Sequence, residues 1–257
     1  MNTLLLKIII TPTLIGTASL AGRRWGHSIS GWLVALPLTT GPITFFLALT
    51  HGPAFAATAA AGTLAGGFSQ AAFVLCYARL APHWKWLPTL VASILAFAVI
   101  TAVLQRLIIP VVPLCLLVFL GFALVLRLLP LPTNPAAPTD SLPARWDIPL
   151  RMIIATVFVL LITDLAPALG PRLAGLLSPF PIFTATLAAF AQHQYGLDAT
   201  VNVLRGLLMG LFSFASFFFV LATLLEPAGI LTAFIVAILV VIGLQSFSLW
   251  LLRRRRG

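Results

Sequence analysis

The sequence predicts an all-α integral membrane protein of nine transmembrane helices, built as two inverted-topology four-helix repeats joined by a fifth helix. Three observations predict it: a composition that no water-exposed fold can absorb, apolar runs of spanning length, and an overlay of the chain on itself at a fixed offset. Of 257 residues, 61% are hydrophobic and 8% charged, where a soluble domain carries about 25% charged residues. Lipid is therefore the solvent for most of this surface. The formal charge of +10 comes from 15 basic and 5 acidic residues. The basic residues sit between apolar runs, which is the pattern of membrane topology and not of nucleic-acid binding. Cys76 and Cys115 lie inside apolar runs without CxxC spacing and read as small buried hydrophobes, not as a disulfide or metal pair.

Apolar runs of about 20 residues, enough for one helical span, fall at 3–21, 29–49, 55–80, 87–105, 108–129, 148–168, 173–192, 199–225 and 228–252. The stretch 130–147 carries five prolines and two aspartates, so it neither forms a helix nor lies in lipid. The chain divides accordingly into a first repeat (1–107), a connecting helix (108–129), a Pro-rich cytoplasmic linker (130–147) and a second repeat (148–257). Trp25, Trp32, Trp84, Trp86, Trp146 and Trp250 fall near span ends, as interfacial rings do.

The positive-inside rule places the N-terminus outside and the C-terminus in the cytoplasm of a bacterial inner membrane. Arg23, Arg24, Arg79, Lys85, Arg127, Arg145 and the run 253–256 then lie inside, leaving Lys7, Arg106, Arg172 and Glu226 outside. A cleaved signal peptide would carry its basic pair before the first apolar run; here Arg23 and Arg24 follow it.

Shifted by 144 residues, the chain overlays on itself without a gap through the first 80 residues. Gly26, Gly31, Gly52, Gly62 and Gly66 fall on Gly170, Gly175, Gly196, Gly206 and Gly210, and Pro37 falls on Pro181. Shared leucines would mean little in this composition; aligned glycines and a mid-helix proline mean more. Four helices per repeat plus one extra crossing make the second repeat enter from the opposite side, an arrangement that secondary transporters use to build two gates from one unit.

The stretch 174–208 resembles the GlpM family of small four-helix bacterial inner-membrane proteins, on the strength of Gly175, Leu176, Phe180, Pro181, Phe183 and Gly196. In the first half Gly31, Pro37 and Gly52 match, while Leu36 and Thr39 stand where the phenylalanines would be. The resemblance implies a fused tandem of such units and carries no defined activity with it.

The second and seventh spans break themselves at mid-depth. Pro37, Gly41 and Pro42 interrupt one, and Pro181 the other. A mid-helix proline frees carbonyls that lipid cannot satisfy, so hydroxyls, water or neighbouring helices must do so. Thr39, Thr40 and Thr44, with Ser178, Thr184 and Thr186 opposite, are placed to do it. Paired discontinuities in two inverted repeats point to a central solute site, which would comprise these residues with Pro37, Gly41, Pro181, Asn202 and Arg205. The plainer reading is a pair of packed kinks whose threonines bond their own backbone.

Gly62 and Gly66, like Gly206 and Gly210, have the small-xxx-small spacing that lets helix backbones touch, within one chain or in a homodimer. Ser69, Gln70 and Ser213 on the same helices read as local hydrogen-bonding groups. Arg205 either snorkels to the surface or faces a cavity. Asp164 reads as interfacial, and Lys7 and Arg151 as paired anchors. No P-loop, metal-ligand cluster or nucleophile–base pair is present in the sequence. The expected function is therefore not enzymatic and needs no cofactor. It is a secondary transporter of a small amphipathic or organic-anion solute, or alternatively a non-transporting scaffold packing through the glycine faces. The expected partners are the lipid bilayer and that solute, with no nucleic acid.

Overall fold

A computed structural model of the chain describes residues 3–25, 37–132 and 147–254. These residues form helices joined by short turns: α1 (Thr3–Trp25), α2 (Thr40–His51), α3 (Pro53–Leu80), α4 (Trp86–Arg106), α5 (Val111–Leu128), α6 (Asp147–Leu177), α7 (Ile182–Tyr195), α8 (Leu197–Ala228) and α9 (Ile230–Arg254). Among the described residues, five stretches are long and apolar enough to cross a membrane: α3, α4, α5, α8 and the Met152–Leu177 part of α6. Of the nine spans expected, the second lies partly outside the described residues. The windows Leu4–Thr17 in α1 and Ile230–Ser246 in α9 are apolar but shorter. α2 and α7, at 12 and 14 residues, extend only about 18–21 Å at 1.5 Å per residue, short of a ~30 Å hydrocarbon core.

The outer helices are patterned inside-out. Along α4, Leu87, Val91, Leu95 and Val99 face outward at 50–60% exposure, while Thr89, Ser93, Phe97 and Thr101 are buried. Spacings of four residues put each set on its own helix face. α5 repeats the pattern, with Val112, Leu116, Leu120 and Leu124 exposed. Continuous exposed apolar stripes with hydroxyls turned inward are stable only in lipid. The protein is membrane-embedded and multi-pass.

Helix ends recur at the sequence offset. α2 ends at His51 and α7 at Tyr195; α3 begins at Pro53 and α8 at Leu197; α4 begins at Trp86 and α9 at Ile230. Each pair is 144 residues apart. The hinges between them are Gly52 (φ 88°) and Gly196 (φ 83°), both in a backbone region that a side chain would strain. A third such glycine, Gly170 (φ 75°), is non-helical and, immediately before Pro171, separates two helices that abut within α6, at the place where the sequence divides its sixth span from its seventh. The seventh span is in turn interrupted at 178–181, before α7 begins.

α3 and α8 form the centre, and the remaining helices pack around them. Phe46, Phe73, Tyr77, Phe97, Phe122 and Phe218 are fully buried there. α1 lies against α6, with Lys7 beside Asp164 and Gly16 beside Met152. Rising numbers on one helix meet falling numbers on the other, so these two helices are antiparallel.

Candidate functional site: two broken helices against the central pair

One face of α3 follows the whole broken segment from 172 to 192. Gly62 lies against Arg172, Gly175 and Leu176, and Gly66 against Leu176 and Pro179. One turn further, the Gln70 amide Nε2 donates to Thr184 Oγ1 at 3.1 Å. Two turns beyond, Tyr77 Oη donates to Gln192 Oε1 at 2.9 Å. Residue numbers rise together on both sides, so α3 and the broken segment run parallel. The glycines permit this approach because a methyl group at Gly62 would lie 2.5 Å from the Arg172 carbonyl oxygen. Gly175 is equally constrained, since its own Cβ would fall on the Ala59 carbonyl oxygen.

The first break is built differently. Described residues begin here at Pro37, whose carbonyl accepts Gly41 N at 2.8 Å, and Thr39 O accepts Ile43 N at 3.3 Å. These bonds start α2 at once. Thr40 is 5% exposed, and Thr44 Oγ1 donates to Thr40 O at 3.2 Å. Gly41 lies against the ring of Phe217 on α8. The second break thus meets an amide on α3 and the first an aromatic ring on α8. The part of the second span before Pro37 lies outside the described residues.

The break at 178–181 keeps some of its main-chain bonds. Ser178 N donates to Ala174 O and Gly175 O, Phe180 N to Leu177 O, Ile182 N to Phe180 O, and Ala185 N to Pro181 O. Pro179 and Pro181 supply no N–H. Thr186 Oγ1 donates back to Ile182 O at 2.8 Å, on the exposed side of α7. Thr184 is 3% exposed and Ser178 1%. Phe180 meets Phe97 edge-on at 5.4 Å.

Charged groups hold helix ends. Arg205 Nη1 reaches the carbonyls of Leu129 and Pro130 at 3.5 Å each, and Arg79 Nη2 reaches Leu128 O at 2.8 Å. Two guanidiniums therefore gather at the C-terminal end of α5, where the helix dipole favours cations. Arg172 Nη2 does the same for α4 through Leu104 O at 2.9 Å. Asn202 is half-buried on α8. Within 4 Å of a Cβ placed at Gly206 or Gly210 there is nothing among the described residues, unlike Gly62 and Gly66.

No family model, curated protein or solved structure matches the chain. Among the described residues no three His, Cys, Asp or Glu side chains converge on a metal position. Cys76 and Cys115 are free and half-buried.

The structure bonds Thr184 to Gln70 of α3 and places Gly41 beside Phe217 of α8, while Thr40, Thr44 and Ser178 are buried in the bundle. It takes Arg205 to the end of α5. Gln70 was read as a locally bonded residue; instead it reaches across to Thr184. Tyr77 and Gln192 were not singled out. The Gln192 amide Nε2 also donates to Ala81 O at 3.1 Å and Trp84 O at 2.8 Å, pinning the α3–α4 turn. Lys7, read as an interfacial anchor, is buried and paired with Asp164. These partners lie 108 to 157 residues apart, and no local pattern announces them.

Proposed function

We propose that this chain is a secondary transporter that moves a small amphipathic or organic-anion solute by alternating access at the crossing of its two broken helices. The observation that carries this reading is the seating of segment 172–192 along α3, with Gln70–Thr184 as its polar bridge. The break of one half is held by the long central helix of the other, so a shift of either half moves both. Helix ends at matching offsets and the antiparallel α1–α6 pair support two inverted repeats, 1–107 and 148–257, around the connecting helix 108–129. The GlpM-like motif at Gly175–Gly196 belongs to the same reading, as does an N-out, C-in placement in a bacterial inner membrane.

The groups beside the two breaks suit an amphipathic solute: the Phe217 ring at the first is apolar, and the Gln70–Thr184 pair at the second is polar and neutral. With Arg205 engaged at α5, an anionic solute would be held by hydroxyls and amides, not by a guanidinium. The test is solute flux in proteoliposomes against a panel of amphipathic amines, alcohols and carboxylates. Transport reads out as saturable flux that Thr184→Val reduces at least tenfold. Flux equal to that of empty vesicles across the panel contradicts the proposal and favours a packing role.

A further inference from the structure

Several hydroxyls near the two breaks are used up by their own helix. Thr44 donates to Thr40 O, Thr63 to Ala59 O and Thr186 to Ile182 O, each four residues back. Ser178 and Thr184 do not follow this pattern. Ser178 Oγ is buried, the residue being 1% exposed, and has no hydrogen-bond partner. Thr184 Oγ1 makes no bond to its own helix and accepts from Gln70. An unpartnered buried hydroxyl costs about 1–3 kcal/mol and calls for an explanation.

These groups lie along one stretch of α3. Pro179, next to Ser178, lies against Gly66, and Thr184 bonds to Gln70, four residues or about 6 Å of rise along the same helix. The Leu176 carbonyl also lies against Gly66, at the C-terminal end of the 171–177 stretch, where the dipole favours positive charge. No carboxylate belongs to it. Asp164, on the membrane part of α6, is engaged by Lys7 at 2.9 Å.

We propose that the second break binds a monovalent hard cation, sodium, through Ser178 Oγ, Thr184 Oγ1 and the Gln70 side-chain oxygen after the amide turns over, with main-chain carbonyls completing the shell. Neutral oxygens suit a hard cation. Without a carboxylate they do not offset the dehydration of a divalent ion, so a single charge fits. Unwound backbone at a helix break is a common seat for a coupling ion. The first break has the Phe217 ring beside Gly41, and the Gln70–Thr184 pair belongs to the second. This inference rests on the alternating-access reading for its role, though the binding itself does not need it.

The experiment is thermal unfolding of the full chain in nanodiscs with NaCl, KCl or choline chloride at equal ionic strength. Sodium alone raises the midpoint, by about 3–5 °C for each tenfold rise above its Kd. Ser178→Ala abolishes this shift and leaves the midpoint in KCl at or above that of the wild type, because the hydroxyl it removes has no partner. Thr184→Val weakens the shift, and Thr186→Val, which removes a back-bonded hydroxyl, leaves it intact. Equal midpoints in the three salts, or a sodium shift that survives Ser178→Ala, overturn the site. A sodium shift without solute flux upholds the site and contradicts transport; flux without the shift does the reverse.

Discussion

Lys7 Nζ, four residues into α1, donates to Asp164 Oδ1, near the end of the straight part of α6, at 2.9 Å. The lysine side chain is 7% exposed and the aspartate 61%. A buried ammonium in an apolar bundle depends on its counter-charge, whereas the aspartate can find other company at the bundle edge.

The asymmetry predicts unequal mutants. Asp164→Ala strands the buried Lys7 and destabilises by about 1–2 kcal/mol, below the roughly 3–5 of a fully buried pair because the aspartate is largely exposed. Lys7→Met costs less, and Lys7→Met combined with Asp164→Leu restores most of the loss. Thermal midpoints of the four proteins in nanodiscs check this order; equal effects of the two single changes would contradict it.

Glycines at equivalent positions differ in consequence. Gly62→Ala and Gly175→Ala each drive a methyl group into a main-chain carbonyl, which cannot rotate away as a side chain would. Each costs at least about 2 kcal/mol. Gly206→Ala meets no described atom within 4 Å and is neutral or stabilising by up to ~1 kcal/mol, the helix propensity gain of alanine. Yield and midpoint after purification distinguish the two classes.

Gln192 holds three partners at once, the Tyr77 hydroxyl and the Ala81 and Trp84 carbonyls. Gln192→Leu leaves Tyr77, which is 0% exposed, with an unpartnered hydroxyl and costs about 1–3 kcal/mol. Adding Tyr77→Phe to that background brings no further loss and recovers part of the first. A double-mutant cycle measures the coupling.

Arg205 sits at the end of α5 and not at the crossing. Arg205→Ala therefore lowers stability by about 0.5–1 kcal/mol, as loss of a cation at a helix C-terminus does. It leaves the half-saturating solute concentration unchanged. A tenfold weaker solute affinity would return Arg205 to the site.

Backbone punctuation was legible in the sequence. Gly52, Gly196, Pro37 and Pro181 mark hinges and breaks because their backbone constraints are local, and the helix ends fall where they say. Gly170, with Pro171 after it, stands where the sequence divides its sixth span from its seventh, because its non-helical backbone ends one helix before the next begins. The lipid-facing stripes of α4 and α5 follow from spacing alone. The polar bridges do not, because Gln70 and Thr184, Tyr77 and Gln192, and Lys7 and Asp164 meet only once the helices have packed. The inequality of the two breaks was hidden for the same reason. Thr40 and Thr184 occupy matching positions in sequence, and only the facing helices, with Phe217 and Gln70, tell them apart.

The central claim is that the crossing opens to each side in turn, and side-specific labelling tests it most directly. In a background with Cys76 and Cys115 replaced, single cysteines go in at Thr40 and Thr184, which are 5% and 3% exposed. An impermeant thiol reagent is applied from one face of the membrane, then the other, with and without solute. The account predicts that each cysteine reacts from both faces and that solute protects it. No reaction from either face under any condition would mean sealed, packed kinks and would contradict alternating access.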